Sequence, residues 1–281
     1  PYGGFDYGFM QFNTRDPRNG ARPHPLFGDL ALRRALTMAV DRATLVRSAF
    51  DTLARTAIGP FSRTQWTADT TLSGIAFDSR GAAELLDSLG WRIGKDGIFR
   101  ERHGRQLAFS ILVPASSRPR QAAAVLLQAQ FKSAGARVSL EQVDFNAFLD
   151  KAQRGSFDAL MGGMRTTPSP RGVRDVWGSP APGRGAQNSG RWSNATFDVH
   201  VDSALAATST DAVRAQFRVA YQAAIDDAPA IWLYEPRMFA GVHRRLNVGT
   251  LRPDAWWSGV VNWSIDPSQR LPRDRRAAST P

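Results

Sequence analysis

Histidine, cysteine and carboxylate spacing are the first places to look for chemistry, and here they carry little. The four histidines, His24, His103, His200 and His243, lie far apart in the chain. No HxxxH or HExxH sets two imidazoles on one helix face, and with no cysteine there is no thiolate to complete a metal site. The lack of cysteine also removes disulfides and a Cys nucleophile, and it leaves the compartment open. Asp226 and Asp227 stand side by side at the end of a helical pattern, so their carboxylates face different ways, a poor arrangement for acid–base work. No GxSxG, Walker A or strand-following GxGxxG occurs, and Gly183-Arg184-Gly185 is a weak phosphate cradle in a polar stretch. The expectation is a protein that is not an enzyme and uses no metal or cofactor.

A binding site built from loops and aromatics is what remains. Residues 164–194 form a long polar stretch rich in Pro and Gly, and a loop of that length in a compact domain is functional or disordered. Met164, Arg165, Thr166 and Thr167 open it, and Asn188 and Trp192 lie near its end. The Arg165 guanidinium suits bidentate contact with a carboxylate or phosphate, the plain alternative being a solvated loop arginine. Trp192, Trp256 and Trp257 are candidates to line a cleft, because indole gives large contact area plus one donor, and Tyr7 is a further ligand-binding candidate. Core packing is the competing role for Trp192 and Trp256, and packing is expected for Trp263.

The elements that must position these residues read as α/β with a mixed sheet. Alternating aromatic and small residues predict a strand over 5–13, followed by a Pro-rich connector over 14–28. Asp29 caps a helix expected to run to about Phe50, and residues 51–78 read as irregular. A short helix follows over 79–89, with Gly90 as its left-handed cap. Strand 106–113, helix 117–134 and strand 137–143 make a crossover unit that implies parallel pairing. Beyond it come a helix over 145–154, a strand over 157–161, helices over 196–207 and 210–228, and a strand over 230–234. The stretch 238–265 has strand-like patches and the Trp256, Trp257 and Trp263 cluster.

With 281 residues, 42% hydrophobic and 10% aromatic, the chain can bury a sizeable core. No run of eighteen apolar residues occurs, and the start at Pro1 shows no signal-peptide pattern and suggests a truncated or processed form. The formal charge is +11, from 33 Arg and 3 Lys against 25 acidic residues; the tail from Arg270 takes four Arg and one Asp of that, leaving +8 elsewhere. The arginines are scattered rather than clustered with stacking aromatics, so nucleic acid is not the expected partner.

Several motifs in order resemble a known family. Tyr7-Gly8-Phe9-Met10-Gln11-Phe12-Asn13 ends in "FN"; Leu32-Arg33-Arg34-Ala35-Leu36 through Asp41-Arg42 resembles "VRQALxxAIDR"; Ala82–Trp91 resembles "AxxLLxxAGW". Further on, 155–164 looks like "GxFDxxxxGW", 188–194 like "NxxGYxN", and 221–234 like "Y…I…APxIPLY". This order is similar to that of the C-terminal half of the family 5 extracellular solute-binding proteins, which bind peptides for ABC importers. The resemblance implies a periplasmic-binding-protein-like (type II) C-terminal lobe, with the N-terminal lobe largely missing. It also implies a signal peptide in the parent protein, a periplasmic or extracellular location with lipid anchoring as one route, and ABC permease subunits as partners. Residues 1–20 would belong to the first lobe's side of a hinge, 21–239 to the lobe itself, 240–265 to a return segment and 266–281 to a disordered tail. Apolar surfaces near 5–12 and 256–263 would then be exposed and limit solubility.

The implied ligand is a peptide-like or other small solute. Peptide-binding members carry an aspartate after "GW" that pairs with the ligand's amino group; here Met164 replaces the Trp and Thr167 stands at the aspartate's place. The alternatives are a hydrolase-like enzyme using 164–194 as a lid, and a basic membrane-surface or adhesion module.

Overall fold

The computed structural model describes residues 2–181 and 187–275. Seven strands form one sheet: β1 (Tyr2–Gly3), β2 (Asp6–Phe12), β3 (Ala54–Thr56), β4 (Ala108–Pro114), β5 (Arg137–Val143), β6 (Ala159–Arg165) and β7 (Ala230–Met238). Their order is β1-β7-β2-β6-β4-β5, with β3 also on β7. The β4–β5 pair is parallel in seven-residue register from Ala108↔Arg137 to Pro114↔Val143, as the crossover unit predicts. β6 joins β4 in parallel, while β2 runs antiparallel to both β6 and β7. The chain direction is therefore shared by β4, β5, β6 and β7, and the sheet is mixed.

Period-two alternation sends side chains to two cores. Met10, Phe12, Ile111, Val113, Met161 and Ile231 face one; Phe9, Leu112, Leu160 and Trp232 face the other. Helices α1 (Leu30–Met38), α2 (Arg42–Phe50), α3 (Ser79–Ser88) and α4 (Arg118–Ser133) cover the first face. Helices α5 (Phe145–Arg154), α6 (Gly172–Trp177), α7 (Ala195–Ala206) and α8 (Thr210–Asp227) cover the second. Covering both faces is what lets the central strands be apolar throughout.

Local signals explain most boundaries. Asp29 accepts from the N–H groups of Ala31 and Leu32, Asp144 from those of Asn146 and Ala147, and Asn194 from that of Phe197. Where expectation and structure differ, a competing local interaction is visible. The single helix expected from Asp29 to Phe50 is two helices, because Asp41 accepts from the Thr44 N–H and caps a second start. The 51–78 stretch contributes β3, paired with β7 from Ala54↔Pro236 to Thr56↔Tyr234. Residues 92–106 hold a small three-stranded meander that the sequence reading missed.

The 164–194 stretch is not a free lid. It contains α6, which buries Val173, Val176 and Trp177 in the second core, while Gly183-Arg184-Gly185 lies outside the described residues. Phe5 and residues 7–12, expected to be exposed, are buried because β2 is clasped between β7 and β6. Residues 6–12 are thus central to the same sheet as the 21–239 body. The strand-like reading of 238–265 gives way to a 3-10 helix at Trp256–Asn262 and a two-residue pairing of Leu246–Asn247 with Ser264–Ile265. Short 3-10 turns at Pro267–Gln269 and Pro272–Arg275 occupy the start of the expected tail, whose residues 276–281 lie outside the described residues.

Candidate functional site

Four strands running one way put their carboxyl ends on one edge, and open α/β sheets collect ligands at that edge. Here it brings together Pro114 and the start of α4, Val143 and the start of α5, Arg165, and the end of β7 at Tyr234–Met238. Two cavities open there. One, of about 410 Å³, is lined by Phe9, Arg120, Phe148, Gly162 and Met164 among others. The second, of about 510 Å³, is lined by Asp6, Tyr7, Phe50, Arg165 and Tyr234 among others. Arg120, Gly163 and Met164 line both, so the cavities form one groove with Arg120 at its waist.

The floor of the groove is strand backbone. β6 is fully paired with β2 from Ala159↔Phe12 to Arg165↔Asp6. On its other edge it pairs with β4 only at Ala159 and Leu160. From Gly162 to Arg165 that edge has no strand partner among the described residues. Two glycines keep the site in shape. A Cβ on Gly162 would stand 2.3 Å from the Phe9 ring, and one on Gly163 would stand 2.7 Å from Nη2 of Arg120.

The turn after β6 is held from below. Thr166 donates its N–H and its hydroxyl to the Phe5 carbonyl, and Gln65 Nε2 donates to the Thr167 carbonyl at 2.8 Å. Arg165 is 75% exposed and bridges Asp6 at 3.2 Å. Tyr234 is buried against Phe50, with ring centroids 4.2 Å apart. Burial pushes its phenol above the ordinary range, against the pull of the positive charge on Arg120.

The eight residues singled out from the sequence divide. Met164, Arg165, Thr166 and Thr167 are brought together at the groove and the turn above it. Tyr7 lines the groove but is 2% exposed, and its hydroxyl accepts from Trp177 Nε1 at 2.9 Å. Burial raises the Tyr7 phenol's pKa far above its ordinary value. Asn188 borders the first cavity with its amide turned inward, donating to the Gly178 and Trp192 carbonyls. Trp192 is core: 2% exposed, edge-on to Phe197, its Nε1 donating to Asp227 at 2.7 Å. Trp256 is elsewhere, half exposed against Trp257 and Trp263. Arg120, Tyr234 and Gln65 were missed. Arg120 was within reach, since Arg118-Pro119-Arg120 opens a helix directly after a parallel strand.

A larger cavity, of about 710 Å³, lies at the opposite edge among Arg18, His24, Trp91, Arg102, Arg105 and Asp158. Its central polar groups are already committed. His24 Nδ1 accepts from the N–H groups of Leu26 and Phe27, and Nε2 meets Asp158 at 3.2 Å. The second Asp158 oxygen accepts from the Ser110 N–H and hydroxyl. No group of three or more His, Cys, Asp or Glu among the described residues is placed to hold a metal ion.

Comparison with known proteins identifies the fold and the family. The oligopeptide-binding protein AppA of Bacillus subtilis is 25% identical over 244 residues, covering 83% of this chain and 44% of that protein. The solved AppA structure, in complex with a nonapeptide, superposes with a TM-score of 0.78 at 21% identity over 94% of this chain and 51% of that one. NikZ from Campylobacter jejuni, in complex with Ni(L-His), gives a TM-score of 0.76 at 21% identity over 92% and 52%. The fold is that of one half of a type II periplasmic binding protein, and this chain spans about half the length of these relatives. The family model for bacterial extracellular solute-binding proteins, family 5 Middle, matches residues 2–184, and the chain belongs to that family.

Proposed function

We propose that this chain acts within a substrate-binding component of an ABC importer, capturing a peptide-like solute and delivering it to a membrane permease. The observation that carries this reading is the open edge of β6 at 162–165, with Gly162, Gly163, Met164 and Arg165 lining the cavities beside it. An extended peptide main chain can add to such an edge by hydrogen bonding, while flanking cavities take its side chains. Family membership and a relative described as oligopeptide-binding support the same reading.

A second lobe would supply the opposing wall. β1 pairs with the last residues of β7, Tyr2↔Met238 and Gly3↔Arg237, so the chain enters and leaves the sheet side by side. Two adjacent strand ends, at 2–3 and 237–238, suit a hinge, with 6–239 as the body that moves and 240–265 as the return segment. Closure follows because a ligand touching both walls stabilises the closed state more than the open one. The half-exposed Trp256 and Trp257 belong to the return segment of that scheme. The location would be periplasmic or extracellular, with a lipid anchor as one means of retention. No catalytic step is part of this role.

The test is thermal shift of this chain against di- to pentapeptides, dicarboxylates, sugars and nickel chelates. A dose-saturable rise with a peptide-like class is the expected result, by mass action on the folded state. No shift with any class, together with turnover of a test substrate, would overturn the reading in favour of an enzyme.

A further inference from the structure

We propose that Arg120 is an anion handle within the groove, so that the captured solute presents a negatively charged group there rather than a free ammonium. This rests on the groove being the solute site. The charge inventory points this way. The two cavities are lined by Arg120, Arg165, Arg191 and Arg237, against one carboxylate, Asp6. That carboxylate is already bridged to Arg165, on the exposed side of the strand end. Arg191 turns its guanidinium to the Arg154 carbonyl. Arg120 has no carboxylate within 4.0 Å among the described residues.

The guanidinium also sits where both cavities meet. Tyr234 lines the second cavity, its ring held between Phe50 and the Cβ-free surface of Gly8. Gly163 lets the guanidinium lie directly on β6, beside the open edge. A half-buried guanidinium at the meeting of two cavities is a costly charge to leave without a counter-ion, and it pairs strongly with a carboxylate or phosphate. Thr167 offers no carboxylate at the turn for an ammonium to pair with.

Three probes of equal length test this by isothermal titration calorimetry on the 281-residue chain: N-acetyl-trialanine, N-acetyl-trialanine amide and trialanine amide. Inorganic phosphate is the fourth. The anionic peptide is expected to bind about tenfold or more tighter than its neutral amide, with the cationic probe weakest. Arg120→Gln should close the gap between the first two, and Arg120→Lys should leave part of it. Arg80→Gln, the same loss of charge at an exposed site paired with Glu84, should leave all of it. Melting temperatures show that each variant is folded. A gap that survives Arg120→Gln, or equal binding of all three peptides, overturns the handle while the solute-binding reading stands. Phosphate binding lost in Arg120→Gln without any peptide binding keeps the handle and ends the peptide reading. Binding by none of the four overturns the handle.

Discussion

The two edges of the sheet use polar groups in opposite ways. At the amino edge they are committed to one another: Asn13 donates to the Gly155 and Phe157 carbonyls, and Asp158 gathers His24 and Ser110. Nearby, Asp227 accepts from Arg33, Trp192 and Asn194. At the carboxyl edge, strand backbone from Gly162 to Arg165 has no strand partner on one side, and the Arg120 guanidinium has no carboxylate within 4.0 Å, among the described residues. The amino edge holds the larger cavity, and the groups at its centre, His24 and Asp158, are paired with each other, with backbone N–H groups and with Ser110. Size alone favours the amino edge, whereas the disposition of hydrogen bonds favours the carboxyl edge.

Substitutions at the two edges should therefore differ in kind. The largest loss of stability is expected at the clamp. Asp227→Ala leaves Arg33, whose side chain is 5% exposed, without its carboxylate. Urea unfolding should show a loss of about 3 kcal/mol or more, with little change in the ligand preferences of the folded fraction. Next comes a contrast within the groove floor. Gly162→Ala meets the Phe9 ring and should cost about 1–3 kcal/mol, whereas Gly163→Ala meets the flexible end of Arg120. The second should weaken anion binding while leaving the urea midpoint nearly in place; equal destabilisation by both would break the contrast.

A pH effect belongs to the amino edge. Burial pushes the Asp158 carboxyl up, but hydrogen bonds from His24 and Ser110 outweigh it and hold the pKa below its ordinary value. Its stabilising contribution is then complete above the unfolded value of about 4 and is lost as pH falls through the folded pKa. Asp158→Asn should flatten the acid limb of a stability–pH curve; an unchanged limb would remove Asp158 from the account. The smallest effect on stability is expected for Thr167→Asp at the exposed turn. It should leave the melting temperature within about a degree while strengthening binding of trialanine amide severalfold, measured by calorimetry.

Much of this was legible in the sequence where local chemistry decides. Asp29, Asp144 and Asn194 mark helix starts by side-chain capping, and Gly90 and Gly135 sit at positive φ where helices end. The parallel β4–β5 pair follows from strand–helix–strand order. The 164–167 turn was legible through the resemblance. What was not legible depends on distant partners. Trp192 looks the same in sequence whether it lines a cleft or meets Asp227, thirty-five residues away. Tyr7 is an aromatic in an aromatic strand until Trp177 claims its hydroxyl. Arg165 looked free because Asp6 pairs with it across 159 residues of chain. Arg120 went unnoticed because its significance lies in a partner it lacks.

Hydrogen–deuterium exchange with and without saturating N-acetyl-trialanine tests the central claim most directly. The account predicts slowed exchange at 118–121 and 162–167, with the cavity residues at 16–26 and 102–106 unchanged. Protection confined to the amino-edge cavity, or none at 162–167 under saturation, would contradict it.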